Sequence, residues 1–303
     1  MERYAKAAWA MVAYTVFVIA WGAVVRATLS GAGCGDHWPL CNGEVVPLAP
    51  SLETIIEFGH RLTSGLSLLF CVAFVVASRR VFERGHPARR AAVVALGFMV
   101  LEALIGAGLV LLKLVAENPD EARGYWAAAH VVNTFLLLGA LTLHAHQAGG
   151  GAGLRLRGEP LLISALGVLL IVAATGAIAA LGDTLFPATD LSSAVAADFD
   201  RQSHIFIRLR VLHPFFAVAG AGLCLWFGVR AAADSIRAGS SVIALCVAQV
   251  ALGFLNVWLL APIWLQLVHL ALADALWIAL LVCALELQAR PMHQPRPVAA
   301  PVV

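Results

Sequence analysis

The sequence predicts an all-α polytopic membrane protein, with eight transmembrane helices arranged as two tandem, pseudo-symmetric four-helix bundles. Three observations carry this. Of 303 residues, 61% are hydrophobic and only 13% are Asp, Glu, Lys or Arg, about half the charged share of a soluble domain. Mean hydropathy is +0.87, and apolar stretches of about twenty residues recur along the chain. Motifs of the first half return, in order, in the second. The 20 Lys+Arg and 18 Asp+Glu leave a net charge of +2, which excludes a nucleic-acid binder relying on strong positive charge. Six Cys in this length exclude a disulfide-rich secreted scaffold.

The apolar segments lie at 8–29, 55–78, 91–114, 125–146, 160–181, 205–229, 239–260 and 263–287. Each can cross roughly 30 Å of hydrocarbon at about 1.5 Å per residue. Polar runs divide them: RRVFERGHPARR at 79–90, QAGGGAGLRLRGE at 147–159, and 182–204 with Asp183, Asp190, Asp198 and Asp200. The last division is a tight turn at Leu260-Ala261-Pro262-Ile263. Orientation follows from Arg3, Lys6, Arg79, Arg80, Arg84, Arg89, Arg90, Arg155, Arg157, Arg230, Arg237, Arg290 and Arg296. These 13 of the 20 basic residues share one side, whereas the other side collects Asp and Glu. By the positive-inside rule both termini are expected in the cytoplasm, in a bacterial inner membrane. The first span lacks an Ala-x-Ala cleavage site and more spans follow it, so it reads as an uncleaved anchor.

The internal repeat defines the expected units. Glu102-Ala-Leu-Ile-Gly106 lies 147 positions before Gln249-Val-Ala-Leu-Gly253. His60 beside Arg61 matches His213 near Arg210, and Trp126 to His130 matches Trp264 to His269. Span one turns through Gly22 to Arg26, and span five through Gly176 to Ala180. The expected units are an N-terminal bundle at 1–148, a Gly-rich cytoplasmic linker at 149–159 and a C-terminal bundle at 160–303.

Ten histidines are present. His86, His204 and His293 fall between or beyond spans and read as solvated polar residues; His144 and His146 read as interfacial, and His37 belongs to a cysteine loop. His60, His130, His213 and His269 differ, because each sits in an apolar segment, on the second or fourth helix of its bundle. Ionisable groups inside spans face a bundle interior or a functional site. Two neutral imidazoles on facing helices can supply both axial ligands of a haem iron. Structural zinc fits worse, since it wants four convergent ligands.

The bundles also differ. Glu57 precedes His60 by three residues and shares its helix face; it reads as a proton-transfer carboxylate or as a helix-start acceptor of backbone amides. The second bundle has Arg210 at the equivalent place, with Arg208 nearby, and these guanidiniums suit haem propionates. Arg61 and, less strongly, Arg26 are further propionate candidates or snorkelling residues. Cys34 and Cys41 flank Gly-Asp-His-Trp-Pro-Leu in the first external loop. They can form a structural staple or a thiol/disulfide couple that feeds the site. Cys71, Cys224, Cys246 and Cys283 read as small apolar filler.

The stretch from Gly33 through Cys34 to Cys41, followed by Glu57-Phe-Gly-His60-Arg61-Leu-Thr-Ser-Gly65, resembles the haem A synthases of cytochrome oxidase assembly. The likeness continues through His130, His213 and His269. It implies haem B held between His213 and His269, and haem O received as substrate at His60 and His130. It also implies Glu57 as the required acidic residue and Cys34/Cys41 as the external pair. The implied reaction oxidises the C8 methyl of haem O to a formyl group through hydroxylated intermediates. Implied partners are haem O synthase, a quinone or other electron acceptor, and further copies of the chain. Segment 182–204 lacks the second cysteine pair found in some members. The alternative is a di-haem cytochrome b that only passes electrons. A transporter is disfavoured, because Gly and Pro lie mostly at span ends.

Overall fold

The computed structural model describes residues 1–157, 159–234 and 237–289. Arg290, His293 and Arg296 lie outside the described residues, as does Gly158 of the expected linker. Among the described residues, eight helices are long and apolar enough to cross a membrane. In the first half these are α1 (Glu2–Ala27), α2 (Leu52–Val81), α3 (Pro87–Leu111) and α4 (Glu121–Ala148). The second half begins with α5 (Pro160–Leu185), followed by the short α6 (Leu191–Phe199) and α7 (Ile205–Arg208). A 3₁₀ turn at Leu209–Val211 joins α7 to α8 (Leu212–Ala233), so that one span runs from Ile205 to Ala233. The last two are α9 (Arg237–Trp258) and α10 (Ile263–Ala289).

Local chemistry sets the helix starts. The Ser51 hydroxyl accepts the Thr54 amide at the start of α2, and Asp120 accepts the Ala122 amide at the start of α4. Proline occupies the first turn of α3 and α5, where no amide partner is lost. The predicted turn at 260–262 is present, and Leu260 and Ala261 take left-handed φ of 57° and 53° there. Non-glycine residues adopt that region at a cost of roughly 1–2 kcal/mol each. The helix α6 is not foreshadowed by hydropathy. Asp190 caps it by accepting the Ser193 amide at 2.9 Å, a local signal that hydropathy does not detect.

The first half closes on itself, with α1 packing on α2 and α4, and α3 packing on α2 and α4. In the second half α5 packs on α8, α8 on α9, and α9 on α10. The halves meet where α4 contacts α5 and α10, and α1 contacts α10 and α5. Accordingly α4 is the most enclosed span. Leu138 and Leu141 of α4, Met11 of α1 and Met99 of α3 share one buried cluster with Trp277 and Leu281 of α10. A second cluster joins Leu162, Cys224, Val242 and Leu280 within the second half. Leu69, Phe70, Leu104, Phe215 and Phe254 are exposed on the outside. Such apolar surface suits lipid and would be a liability in water.

Candidate functional site

One end of the molecule, here the loop end, is covered differently over each half. Over the first half, residues 28–51 fold onto the start of α2. Cys34 and Cys41 form a disulfide, and Cys41 and Glu44 exchange both backbone hydrogen bonds at 2.9 Å. Glu57 sits buried under this loop. Its Oε2 accepts the Cys34 amide at 2.7 Å, and its Oε1 accepts Arg61 Nε at 3.0 Å and an Arg61 terminal nitrogen at 2.5 Å. Arg61 also donates to the carbonyls of His37 (2.6 Å) and Leu40 (2.7 Å). Glu57 and Arg61 therefore clamp the disulfide loop to α2. The amide that Glu57 accepts belongs to this loop and not to its own helix.

Over the second half the described residues form no such loop, and Arg210 does the tying. It donates to Asp183 at the end of α5 (2.7 Å) and to Asp198 of α6 (2.9 and 2.7 Å). Arg61 and Arg210 thus both face protein carboxylates. Arg26, the weaker candidate, bridges the halves: it leaves α1 to donate to Ala180 O (2.8 Å) and Thr184 (2.5 Å) of α5, and to Gln266 (2.7 Å) of α10.

Each of the four intramembrane histidines faces a glycine of a neighbouring helix. A Cβ on Gly22 would stand 3.0 Å from the His60 ring, and one on Gly176 would stand 2.9 Å from the His213 ring. The corresponding separations are 3.8 Å for Gly106 and His130, and 3.4 Å for Gly253 and His269. Glycine at 22 and 176 leaves room for the rings that any side chain would displace. The four pairings, α1 with α2, α3 with α4, α5 with α8 and α9 with α10, follow one pattern in both halves.

The polar partners of these rings break the pattern. His130 Nε2 lies 3.1 Å from Glu102 Oε1. Glu102 also accepts from Asn133 (2.6 Å) and from Thr134. In the second half, Gln249 Nε2 lies 3.3 Å from His269 Nε2. His213 Nδ1 is 3.1 Å from the Val172 carbonyl, and that bond fixes Nδ1 as the donor and leaves Nε2 free to accept. Buried Nδ1 atoms of His60 and His269 have no protein partner among the described residues.

The spacing of His213 and His269 fits two ligands of one haem iron, with His213 Nε2 free for it and His269 Nε2 turned to Gln249. The His213 and His269 ring centroids stand 6.4 Å apart with planes at 82°. Two imidazoles spanning an iron need a separation of roughly this size, about 2 Å per metal–nitrogen bond plus the ring radii. A carbonyl holding Nδ1–H is the usual support of a metal-bound imidazole. Among the described residues, no three His, Cys, Asp or Glu converge as a metal cluster.

Glu102 is the site residue that sequence reasoning misses as a site. Its signal is the match with Gln249, which in the sequence serves only to define the repeat. The remaining histidines have local tasks. His86 and His204 accept the Ala88 and Phe206 amides as helix caps, and stack on Phe82 and Phe186. His144, near the end of α4, is buried between Tyr4 (3.1 Å) and the Ala88 carbonyl (2.9 Å).

Fold and site together define a multi-pass helical membrane protein with four half-buried histidines inside its spans and a disulfide-capped end. The chain belongs to the COX15-CtaA family, described as cytochrome oxidase assembly protein, whose model matches residues 5–281. A Thermus thermophilus protein named protoheme IX farnesyltransferase is 45% identical over 287 residues, covering 91% of this chain and 47% of that protein. The heme A synthase of Bacillus cereus AH187 is 40% identical over 114 residues, 37% of this chain and 36% of that enzyme. The same figures hold for the heme A synthase of Bacillus anthracis A0248. The chain spans about half the length, or less, of the curated relatives it matches.

Proposed function

We propose that this chain is a haem A synthase, converting the C8 methyl of haem O to a formyl group through hydroxylated intermediates. The observation that carries the reading is the facing pair of His213 and His269, one ring held by Val172, in a chain of this family. We read the halves, 1–148 and 160–303, as pseudo-symmetric four-helix bundles joined by the linker 149–159. In support, a two-fold axis along the membrane normal would exchange the α4–α5 and α1–α10 contacts. Both termini lie in the cytoplasm on this reading, with the disulfide loop on the opposite side.

Haem B belongs to His213 and His269, and haem O to the pocket of His60 and His130. When bound, the haems would supply the one-electron chemistry that side chains lack. The methyl passes through an alcohol and a geminal diol, which loses water to leave the formyl group. In the first half the Glu102 carboxyl holds the His130 ring by a hydrogen bond and provides a group that can take up its proton. Glu57 and Arg61 keep the cysteine loop tied to the start of α2, next to His60. Cys34 and Cys41 close that loop by their disulfide. Each hydroxylation takes its oxygen from water and releases two protons and two electrons, the electrons leaving to a quinone or another acceptor; haem O arrives from its synthase.

The name of the Thermus relative suggests a second reading, prenyl transfer. That chemistry needs carboxylates free to hold Mg²⁺ on a diphosphate. The match covers only 47% of that protein, so its name does not assign prenyl transfer to the matched part. The test is pigment extraction from cells that make haem O, with and without this chain. A formyl haem that depends on the chain supports the synthase. A folded, haem-loaded protein with no formyl haem leaves the di-haem electron carrier.

A further inference from the structure

At the end opposite the cysteine loop, the α2–α3 connection forms a cleft of about 510 Å³ that the haem chemistry does not use. Arg79, Arg84, Arg89 and Arg90 line it, with His86, Val93 and Val94. The lining contains no carboxylate. None of these four guanidiniums forms an ion pair among the described residues. The frame is shaped locally. Gly85 turns at a φ of 90°, which glycine tolerates, and its carbonyl accepts an Arg90 donor at 3.2 Å. His86 caps α3 through Ala88 and stacks on Phe82, with centroids 4.5 Å apart.

We propose that this cleft binds the phosphate headgroup of an anionic phospholipid, whose acyl chains run along Val93 and Val94 of α3. The charge argument is direct: four cations without an ion-pair partner around one concavity call for an anion, and guanidinium forks suit phosphate oxygens. Size argues for a headgroup over a lone ion, since a water occupies only about 30 Å³. Position argues for lipid. Val93 and Val94, each 50% exposed, carry the cleft wall onto the apolar face of a membrane span. Basic pockets between spans are a recurrent form of headgroup site. The positive-inside rule accounts for basic residues on this connection but does not require them to line one cleft. Arg80 makes the distinction testable, being equally basic and exposed yet outside the lining.

The experiment is native mass spectrometry of the purified full chain, titrated separately with phosphatidylglycerol, phosphatidylcholine and inorganic phosphate. Phosphatidylglycerol should bind the parent selectively. Arg84→Gln and Arg89→Gln should each weaken it roughly fivefold, and together about thirtyfold, at about one surface cation's contribution each. Arg80→Gln should remain parent-like. Val94→Trp fills the cleft while leaving every charge, and should also lose the lipid; it keeps the test open if an arginine variant fails to fold by circular dichroism. Equal binding of phosphatidylcholine, or an Arg80→Gln loss as large as that of Arg84→Gln, overturns the proposal. So does displacement of the lipid by an equal concentration of inorganic phosphate, which would mark a free-anion site.

Discussion

The two halves place histidines against glycines in the same way, yet surround them with different polar groups. His130 meets the carboxylate of Glu102, where His269 meets the neutral amide of Gln249. Glu57 and Arg61 pin a disulfide loop to the first half, whereas Arg210 pins the helix α6 to the second through Asp183 and Asp198. A neutral amide cannot take or hold charge, which suits a haem kept in place. A carboxylate against an imidazole suits a ring whose charge changes in turnover. The difference teaches that two halves with the same histidine–glycine pairing can surround it with opposite polar chemistry.

The largest effect that separates the halves concerns the histidines. His213→Ala or His269→Ala should abolish the b-type absorption of the purified protein, because one axial position is emptied. His60→Ala and His130→Ala should retain that spectrum and lose haem A formation. An unchanged low-spin spectrum after loss of His213 would erase the proposed allocation.

Next in size is the pin over the second half. Arg210→Gln leaves Asp183 and Asp198 without their ion-pair partner, both under a third exposed. Thermal unfolding should show a loss of about 2–3 kcal/mol, below the roughly 3–5 kcal/mol for breaking a fully buried pair because both carboxylates keep some solvent. A parent-like Tm would mean that α6 is held by packing alone.

Smaller again is the exchange of polar partners. Glu102→Gln makes the first half resemble the second, and should lower haem A yield by roughly 10- to 100-fold, the usual cost of losing a ligand's support. The b-type spectrum should not move. If Gln249→Glu changes haem A yield as much as Glu102→Gln, the division of labour is wrong.

The smallest effect belongs to the cap of α6. Hydrogen bonds from Ser192 and Ser193 hold the Asp190 carboxyl well below its usual range. A depressed folded value means that this contribution is full above the unfolded pKa, about 3.9, and fades as pH falls toward the folded one. Hydrogen exchange in α6 should therefore be flat from neutral pH to about pH 5 once intrinsic rates are corrected. Asp190→Ala should raise it throughout.

Sequence made the eight spans legible because apolar runs and basic connections are properties of single segments. The four histidines stood out for the same reason, as ionisable groups in apolar surroundings. What stayed hidden depends on which helices meet. Arg26 reads as a residue at a helix end, and only packing brings it to Gln266 of α10. Tyr4 and His144 are 140 positions apart and share a hydrogen bond. Glu102 was visible as a carboxylate within a span, but its partner lies one helix further on. Arg61 and Arg210 suit propionates by chemistry alone, and only the fold brings their protein carboxylates into view.

The central claim is that the first half converts haem O while the second keeps haem B. Glu57→Gln tests it most directly, since it nearly preserves shape and removes the charge that holds Arg61 and the cysteine loop. The measurement is extraction and quantification of haems from this variant and its parent, both purified from cells that make haem O. Haem A should fall sharply, with haem O or a hydroxylated haem in its place, while haem B stays at the parent level. Parent-like haem A, or a parallel loss of haem B, would contradict the claim.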